Sequence, residues 1–545
     1  MPLPVKDTPW PPRQLATIAP KMLQWSAWYE GTPEALQYAY GRNYGTATYP
    51  GDARVTMARD NRNGGIRGVL ARFWWGRPIN NQGGLLRDML HVPIAADLCQ
   101  ASADLLFAEQ PQLRASKTNT KLQDRLDELG NDGLFASLAE AAEVAAALGG
   151  VYLRVTWDKD LRADAPFTTV LDADTALPEF QWGILRAVTF WQIVGQEGQT
   201  VWRHLERHEL DANGNGVIQH ALYMGTADNL GRTVPLADRP ETAVFVAALN
   251  EEGVIDTQTP GLAVVYIPNQ RPQRTWRRDP LGRQLGRSDL DGVESLMDAL
   301  DETYSSWMRD VRLGKARILA AKSMLEGLGP GAGATFDNEQ EIYSPLNMIG
   351  SSTTNASGLP IEQVQFKIRF AEHKATAEQW VSDILRTAGY SAQTFGEQSD
   401  ITVQRTATEV DAREQRSLLT RERKIRHWRP GLQDYLEKLI SVDVKLFAGT
   451  YTAERPDVKF SDGVQESQLS LAQTALALKQ AEAASTEVLV ALVHPDWEDD
   501  DVQAEVVKIK AEAAAAAPPM PNPDHAFGPD GQPIDPNDPA SSGQQ

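Results

Sequence analysis

From Leu290 onward, apolar side chains return at steps of three and four: Leu290, Val293, Met297, Leu300, Tyr304, Trp307, Val311, continuing to Ile318. A period of roughly 3.5 residues places them on one seam of a single long helix, about 40 Å at 1.5 Å per residue. The opposite face changes sign, with Asp298 and Glu302 early and Arg309 and Arg312 late. Acid first and base last also suits the helix dipole, so helix stabilisation is the plain reading of that gradient.

The pattern around this rod predicts a mixed chain. After an aromatic-rich arm (Trp25, Trp28, Tyr29, Tyr38, Tyr40), the first helix is expected near Pro93, with Ile94, Leu98, Ala101 and Leu105 as its stripe. Residues 134–148 read as a second helix stopped by Gly149 and Gly150, then a strand of alternating Val151, Leu153 and Val155. Short β-prone runs at 200–209, 217–223, 244–248 and 264–267, with turns such as Asn213-Gly214, predict antiparallel sheet across 165–268. Residues 323–365 are glycine-rich with β-prone stretches at 341–343 and 361–366, the signature of a small αβ insert. A helix over 368–388 ends at Gly389, and a polar link over 391–400 follows. A very long helical pattern then runs from Thr402 to about Ile440, with Pro430 inside it, where a kink is the expected result. Two further helices are expected at 465–483 and 500–515, with a short one near 485–493 between them. The tail from Pro518 is too poor in apolar residues to order itself. The fold class expected is α+β, mainly helical.

At 545 residues the chain exceeds one small core, and 42% apolar with 23% charged residues is ordinary for a globular protein. Its formal charge of −20 excludes the usual DNA-gripping design, in which basic side chains neutralise phosphates and release counterions. Any contact with DNA is therefore local. The lone Cys99 allows no disulfide within the chain and no thiolate set for zinc. The longest apolar stretch, 134–155, is interrupted by Glu140, Glu143, Gly149 and Gly150, so no membrane span is expected. The start, Met1 to Pro12, has no secretion-signal pattern, which predicts a cytosolic assembly product.

Four constellations invite a chemical reading, and each has a simpler one. His204, Glu206 and His208 share a strand face, but their spacing matches no helical zinc motif, and an exposed polar sheet face is expected. Asp211-x-Asn213-x-Asn215-Gly216 copies half of a calcium loop, yet Leu222 stands where the bidentate acid is needed, so a hairpin turn is expected. The glycines between Gly327 and Gly333 lack the following Lys-Ser or Lys-Thr of a phosphate loop and read as a flexible loop. Asp496, Glu498, Asp499, Asp500 and Asp501 stand where the last helix begins, where acids cap unsatisfied N–H groups. No catalytic set, cofactor motif or metal-ligand set emerges, and no enzyme is expected.

Several segments together resemble the portal proteins of tailed bacteriophages, especially long-tailed ones with actinobacterial hosts. His91-Val-Pro-Ile-Ala-Ala-Asp-Leu running into Ser102-Ala-Asp-Leu-Leu-Phe-Ala-Glu-Gln-Pro resembles the first wing helix and its exit. Leu134-Phe135 through Gly149-Gly150-Val-Tyr-Leu-Arg-Val-Thr-Trp157 resembles the family's wing helix, double glycine and strand. The order of sheet, long helix, insert, shorter helix, polar loop and long kinked helix also matches, over roughly residues 20–512.

The resemblance implies a wing with its arm over 1–287, a first stem helix over 288–318 and a clip over 319–365. It implies a second stem helix over 366–390, a tunnel loop over 391–401, a kinked wing helix over 402–441, a crown over 442–512 and a disordered tail over 513–545. It further implies a virion protein at the portal vertex, a homo-oligomeric ring of twelve through which double-stranded DNA is packaged and ejected. The partners it implies are the terminase large subunit, a head–tail adaptor, and the major capsid and scaffold proteins. Long helices with sign-changing faces suit a ring in which each subunit meets its neighbour's complementary surface. Arg309 and Arg312, off the apolar seam, are the candidates for a basic belt in the channel. Gln393, Thr394, Phe395, Gln398 and Ser399 are the candidates for loop contacts with the duplex, steric and polar because no lysine or arginine lies between Ser391 and Gln404. The competing readings are another oligomeric head–tail connector or minor capsid component, a soluble αβ enzyme, and a sequence-specific DNA-binding protein. Adaptors are usually much shorter, no catalytic set supports the second, and the charge disfavours the third.

Overall fold

In the computed structural model, which describes residues 3–42, 90–158, 160–251, 253–313, 317–320, 361–364, 368–395, 407–447, 449–461, 468–494, 497 and 499–516, the aromatic arm is itself helical. It forms α1 (Ala19–Glu30) and α2 (Pro33–Arg42), ahead of the first helix that periodicity predicts. Met22, Trp25, Ala27 and Trp28 are all buried, so α1 is covered on more than one side and shows no single stripe to read.

The expected helix near Pro93 is α3 (Ile94–Phe107), with Pro93 at its N-cap. After β1 (Gln112–Arg114) and α4 (Thr120–Leu129), a turn with Gly133 at φ +94° leads into α5 (Phe135–Leu148). Gly149 stops α5 at φ +86°, its N–H donating to Ala145 O at 2.9 Å. A Cβ there would lie 2.7 Å from the Gly286 carbonyl oxygen, so the position needs glycine for close approach as well as for its dihedral.

β2 (Gly150–Thr156) follows, with β3 (Phe167–Asp172) antiparallel to it. A meander of β4 (Ala176–Gln181), β5 (Ile184–Glu197), β6 (Thr200–Leu210), β7 (Asn215–Thr226) and β8 (Asn229–Val234) comes next, in that spatial order. β9 (Val254–Pro260) pairs with the first part of β7, and β10 (Val264–Pro268) returns to the free edge of β2. Central in its three-stranded sheet and covered on both faces, β2 buries Val151, Tyr152, Leu153 and Val155 alike. Residues 244–248 are not the expected strand. They form a 3-10 helix after the turn that Pro240 opens, and Phe245 from it stacks on His204 and His220. The apolar composition there serves a covering contact rather than a ladder.

The long rod is α6 (Glu294–Leu313), about 30 Å of helix. It is shorter than its apolar spacing suggests: Ile318 lies in β11 (Arg317–Ala320), antiparallel to β12 (Ile361–Val364), opposite Gln363. The spacing continues past Gly314 by coincidence, and β-branched Ile318 takes the strand it favours. α7 (Phe370–Ala388) packs along α6 and ends on Gly389 at φ +102°. α8 (Ala407–Leu446) runs 40 residues with Pro430 inside, and β13 (Asp457–Lys459) pairs with β1. Residues 321–360, with the expected strand at 341–343 and the glycine-rich loop, lie outside the described residues.

Two cores hold this arrangement. One gathers Trp25, Trp28, Leu98, Leu290, Val293, Met297, Leu300, Ile384 and Tyr390. The first half of the α6 seam is therefore covered inside the chain. The other gathers Leu138, Val151, Leu153, Ile425, Trp428, Leu432, Tyr435 and Leu439. Each large apolar side chain so buried contributes roughly 1.5–3 kcal/mol. The chain divides after Ser461 into two compact units. The second contains α9 (Gln468–Gln480), α10 (Thr486–Val493) and α11 (Asp499–Ala516), where Val490, Val502 and Val506 pack together. Asp499 is the first residue of α11; Asp496, Glu498 and the tail lie outside the described residues. The fold is α+β.

Candidate functional site

The polar loop is flanked by the end of α7 and the start of α8, and its root rests on a buried charged pair. Asp289 stands just ahead of α6, and Lys424 lies midway along α8. Their side chains are 0% and 1% exposed, with Lys424 Nζ 2.5 Å from Asp289 Oδ2. The ammonium also donates to Ser102 Oγ of α3 at 2.5 Å. The carboxylate accepts from Tyr390 OH at 2.7 Å, and its other oxygen from Asn269 Nδ2 at 2.9 Å and Gln270 Nε2 at 2.8 Å. Burial pulls the Lys424 pKa down, while Asp289 opposes it; burial, then Asp289, pushes the Tyr390 hydroxyl far up. Satisfied by this many donors, the pair is a brace between the entrance to α6, the exit of α7, α3 and α8.

Residues beyond Tyr390 are pinned to α8. Ser391 N–H donates to Ser417 Oγ at 2.9 Å, and Thr420 Oγ1 donates to Gly389 O at 2.7 Å. Gln393, Thr394 and Phe395 lie in one 3-10 turn (Ala392–Phe395). Thr394 Oγ1 is 2.8 Å from Ser417 Oγ, and the Phe395 ring meets Tyr390 edge-on at 6.2 Å. Gln398 and Ser399 lie outside the described residues. Arg309 is half-buried near the end of α6, and Arg312 stands in its last turn, its side chain outside the description. Next to Arg309, Asp310 accepts from Arg369 Nε at 2.9 Å and faces His373 Nε2 at 3.0 Å, tying α6 to α7. No hydrogen bond among the described residues joins Arg309 to the loop turn.

Three of the acids early on α6 have in-chain partners, while Glu302 is exposed. Glu294 meets Lys21 Nζ at 2.5 Å and Trp25 Nε1 at 2.8 Å, Asp298 accepts from Tyr40 OH at 2.9 Å, and Asp301 meets His91 Nδ1 at 2.7 Å. The sign gradient thus docks the aromatic arm as well as suiting the dipole.

The histidine strand is not the exposed face expected of it. His204, Glu206 and His208 are 4%, 6% and 0% exposed. Burial alone would raise the Glu206 carboxyl, but Arg154, at 2.6 Å, and His208 hold it well below the usual range. His204 Nε2 sits 3.0 Å from His220 Nδ1, and both rings stack with Phe245. Burial lowers the His204 pKa and brings His220 down to about 4. Among the described residues no group of three or more His, Cys, Asp or Glu is placed to hold a metal. Asp211 forms the expected hairpin turn, its Oδ1 accepting from the N–H groups of Asn213 and Asn215 at 2.8 and 2.7 Å. No described helix is long and apolar enough to cross a membrane.

Sequence reasoning misses the brace. Its one signal is that Ser417, Thr420, Arg421 and Lys424 continue the inward face of α8 with polar residues where Ile425 and Trp428 carry it with apolar ones.

The family model of phage portal proteins, SPP1 Gp6-like, matches residues 14–519. The chain belongs to this family. Portal proteins are structural, non-enzymatic components, and the chain is a subunit of the ring-shaped portal vertex of the virion, through which DNA is packaged. No curated protein matches the chain. Among solved structures, the neck of a native GTA particle computed with C12 symmetry is 14% identical, covering 78% of this chain and 97% of that one, at a TM-score of 0.34. The virion of a native gene transfer agent particle is 12% identical, covering 78% and 99%, again at 0.34. At that score neither likeness carries weight here.

Proposed function

We propose that this portal subunit is of the long-tailed, actinobacteriophage-like type and assembles as a ring of twelve. Residues 1–287 form its wing, 288–318 and 366–390 its two stem segments, built on α6 and α7, and 319–365 the clip between them. Residues 391–401 form the tunnel loop, 402–441 the kinked wing helix and 442–512 the crown, with the tail after it. The terminase large subunit docks during packaging and a head–tail adaptor afterwards, while major capsid and scaffold proteins surround the ring. The observation that carries this reading is the family match over residues 14–519. The layout of α6, β11, β12 and α7 supports the stem and clip: two packed helices continue into two paired strands, with residues 321–360 between them.

The acidic chain suits a conduit, because repulsion from phosphates prevents binding tight enough to stall translocation. Arg309 and Arg312 form the local basic belt, and Gln393, Thr394, Phe395, Gln398 and Ser399 form the loop's polar and steric contacts with the duplex. Negative-stain microscopy of the purified protein tests the reading: rings with a central hole are expected. A 60.0 kDa monomer at every concentration and under crowding would end it.

A further inference from the structure

Residues 271–287 hold six arginines, Arg271, Arg274, Arg277, Arg278, Arg283 and Arg287, against one acid, Asp279, in a chain of formal charge −20. The fold sets Arg274 and Arg287 together with Arg416 and Arg423 of α8 around a cleft of about 510 Å³, beside the last residues of α7. Gln270 and Gln415 supply neutral polar groups, and no described carboxylate lines the cleft. Among the described residues none of these four guanidiniums forms an ion pair. One N–H group of Arg287 donates to Gln270 Oε1 at 2.6 Å, while Arg274, Arg416 and Arg423 are exposed. Burial lowers the Arg287 pKa, and Arg274 lowers it further. Like charges gathered this way repel; Asp289 and Asp291, behind the cleft, offset part of this at Arg287, and no described carboxylate lines the cleft itself. An anion from outside would offset the rest.

The shape and composition narrow the class of that anion. Arg416, Arg423 and Arg426 recur at steps of seven and three, an exposed stripe about 15 Å long on one side of α8. That length of duplex axis carries roughly nine phosphates, so the stripe suits a polyanion rather than one small ion. Guanidinium forks match phosphate oxygens in two-pronged geometry. A protein partner would call for an apolar or aromatic centre, whereas the only exposed large apolar side chain described in the cleft is Leu419. Positive and polar with little apolar surface is the make-up of a nucleic-acid contact.

We infer that this arginine cleft binds the phosphate backbone of double-stranded DNA, without regard to base sequence. The inference rests on the portal reading for the source of the duplex, which is the DNA passing through the ring. The contact is confined to one basic patch on an acidic chain, so it is weak, strongly salt-dependent and compatible with movement. It lies at the root of the polar loop, because Thr387 and Gly389 at the end of α7 line the same cleft.

The test uses the full-length protein and a fluorescently labelled 25-base-pair duplex of arbitrary sequence, with anisotropy read between about 50 and 200 mM salt, the range over which phosphate contacts weaken steeply. Arg416→Gln/Arg423→Gln is compared with Arg277→Gln/Arg278→Gln, an equal charge change on exposed residues outside the cleft. The slope of log affinity against log salt is expected to fall by about two in the cleft variant, near 0.9 for each phosphate left without its arginine, and to change little in the control. Equal losses in both variants, or none in the cleft variant, overturn the inference. Polyglutamate competing as well as unlabelled duplex would assign the cleft to an acidic protein surface and overturn it too. So would loss of rings in the cleft variant at an unchanged melting temperature, which would mark an interface between subunits. A wild-type protein that forms no rings would refute the portal reading, while the anisotropy comparison would still decide the cleft.

Discussion

Lys424 Nζ and Asp289 Oδ2 lie 2.5 Å apart with neither side chain reached by solvent, so each charge depends on the other. Lys424→Met would leave a fully buried carboxylate with its hydrogen bonds from Tyr390, Asn269 and Gln270 but without its counter-ion. Breaking one side of such a pair costs about 3–5 kcal/mol. A denaturant titration is expected to show a loss in that range. Lys424→Met combined with Asp289→Leu should recover part of it, since the unpaired charge is then gone. A single-variant loss under about 1 kcal/mol would mean the ion pair does not brace the helix ends.

Gly149 carries two demands, a φ of +86° and an approach that would leave a Cβ 2.7 Å from Gly286 O and 3.0 Å from Ser288 N. The near atoms are backbone, so relief requires moving the segment that leads to Asp289. Gly149→Ala is expected to destabilise by at least about 1–3 kcal/mol, the cost of holding a non-glycine residue in a disfavoured backbone region. Gly214→Ala serves as the comparison: its φ of +86° is the same, but nothing stands within 4 Å of the added carbon. Thermal melts should separate the two, with Gly149→Ala the more damaging. Equal shifts would show that the dihedral alone matters.

These two sites show why part of the fold is legible in sequence and part is not. The stops at Gly149 and Gly389 and the seam of Ile425, Trp428, Leu432 and Tyr435 are local, so glycine chemistry and helical spacing reveal them. Ile318 misleads because a three-and-four spacing persists by chance across Gly314 into a strand. His204, Glu206 and His208 mislead because alternation tells which residues share a face, not whether a distant segment covers it. That cover includes Phe245. Asp289 and Lys424 are 135 residues apart, and no window joins them. The whole-chain charge also conceals a segregation: residues 462–545 hold three lysines against fifteen carboxylates, −12 of the total −20, while residues 271–287 are strongly basic. Counting charge by segment brings that basic run into view.

The stacked His204 and His220 predict a specific acid sensitivity. Burial brings His220 down to about 4, against about 6.5 for an unburied histidine. Between those values the unfolded chain binds a proton that the folded chain refuses. Stability is therefore present in full above about pH 6.5 and is lost as pH falls toward 4, at up to about 1.4 kcal/mol per pH unit for one such group. His220→Gln should flatten the fall in melting temperature between pH 6.5 and 4.5. Parallel curves for the two proteins would show that this histidine does not carry the effect.

Arg309 and Arg312 stand three positions apart in sequence near the end of α6. Arg309 makes no ion pair among the described residues, whereas the neighbouring Asp310 is engaged by Arg369 and His373 across to α7. Replacing both arginines with glutamine therefore leaves the α6–α7 tie intact and removes two positive charges per subunit, or twenty-four if the ring has the twelve subunits proposed for it. Channel charge acts on DNA through phosphate attraction that weakens with salt. The double variant is expected to assemble rings normally while packaging less efficiently or retaining packaged DNA less well, and the deficit should narrow as salt is raised and the wild-type advantage is screened. Packaging efficiency and DNA retention at two salt concentrations measure this directly, and unchanged values at low salt would remove the belt from the channel.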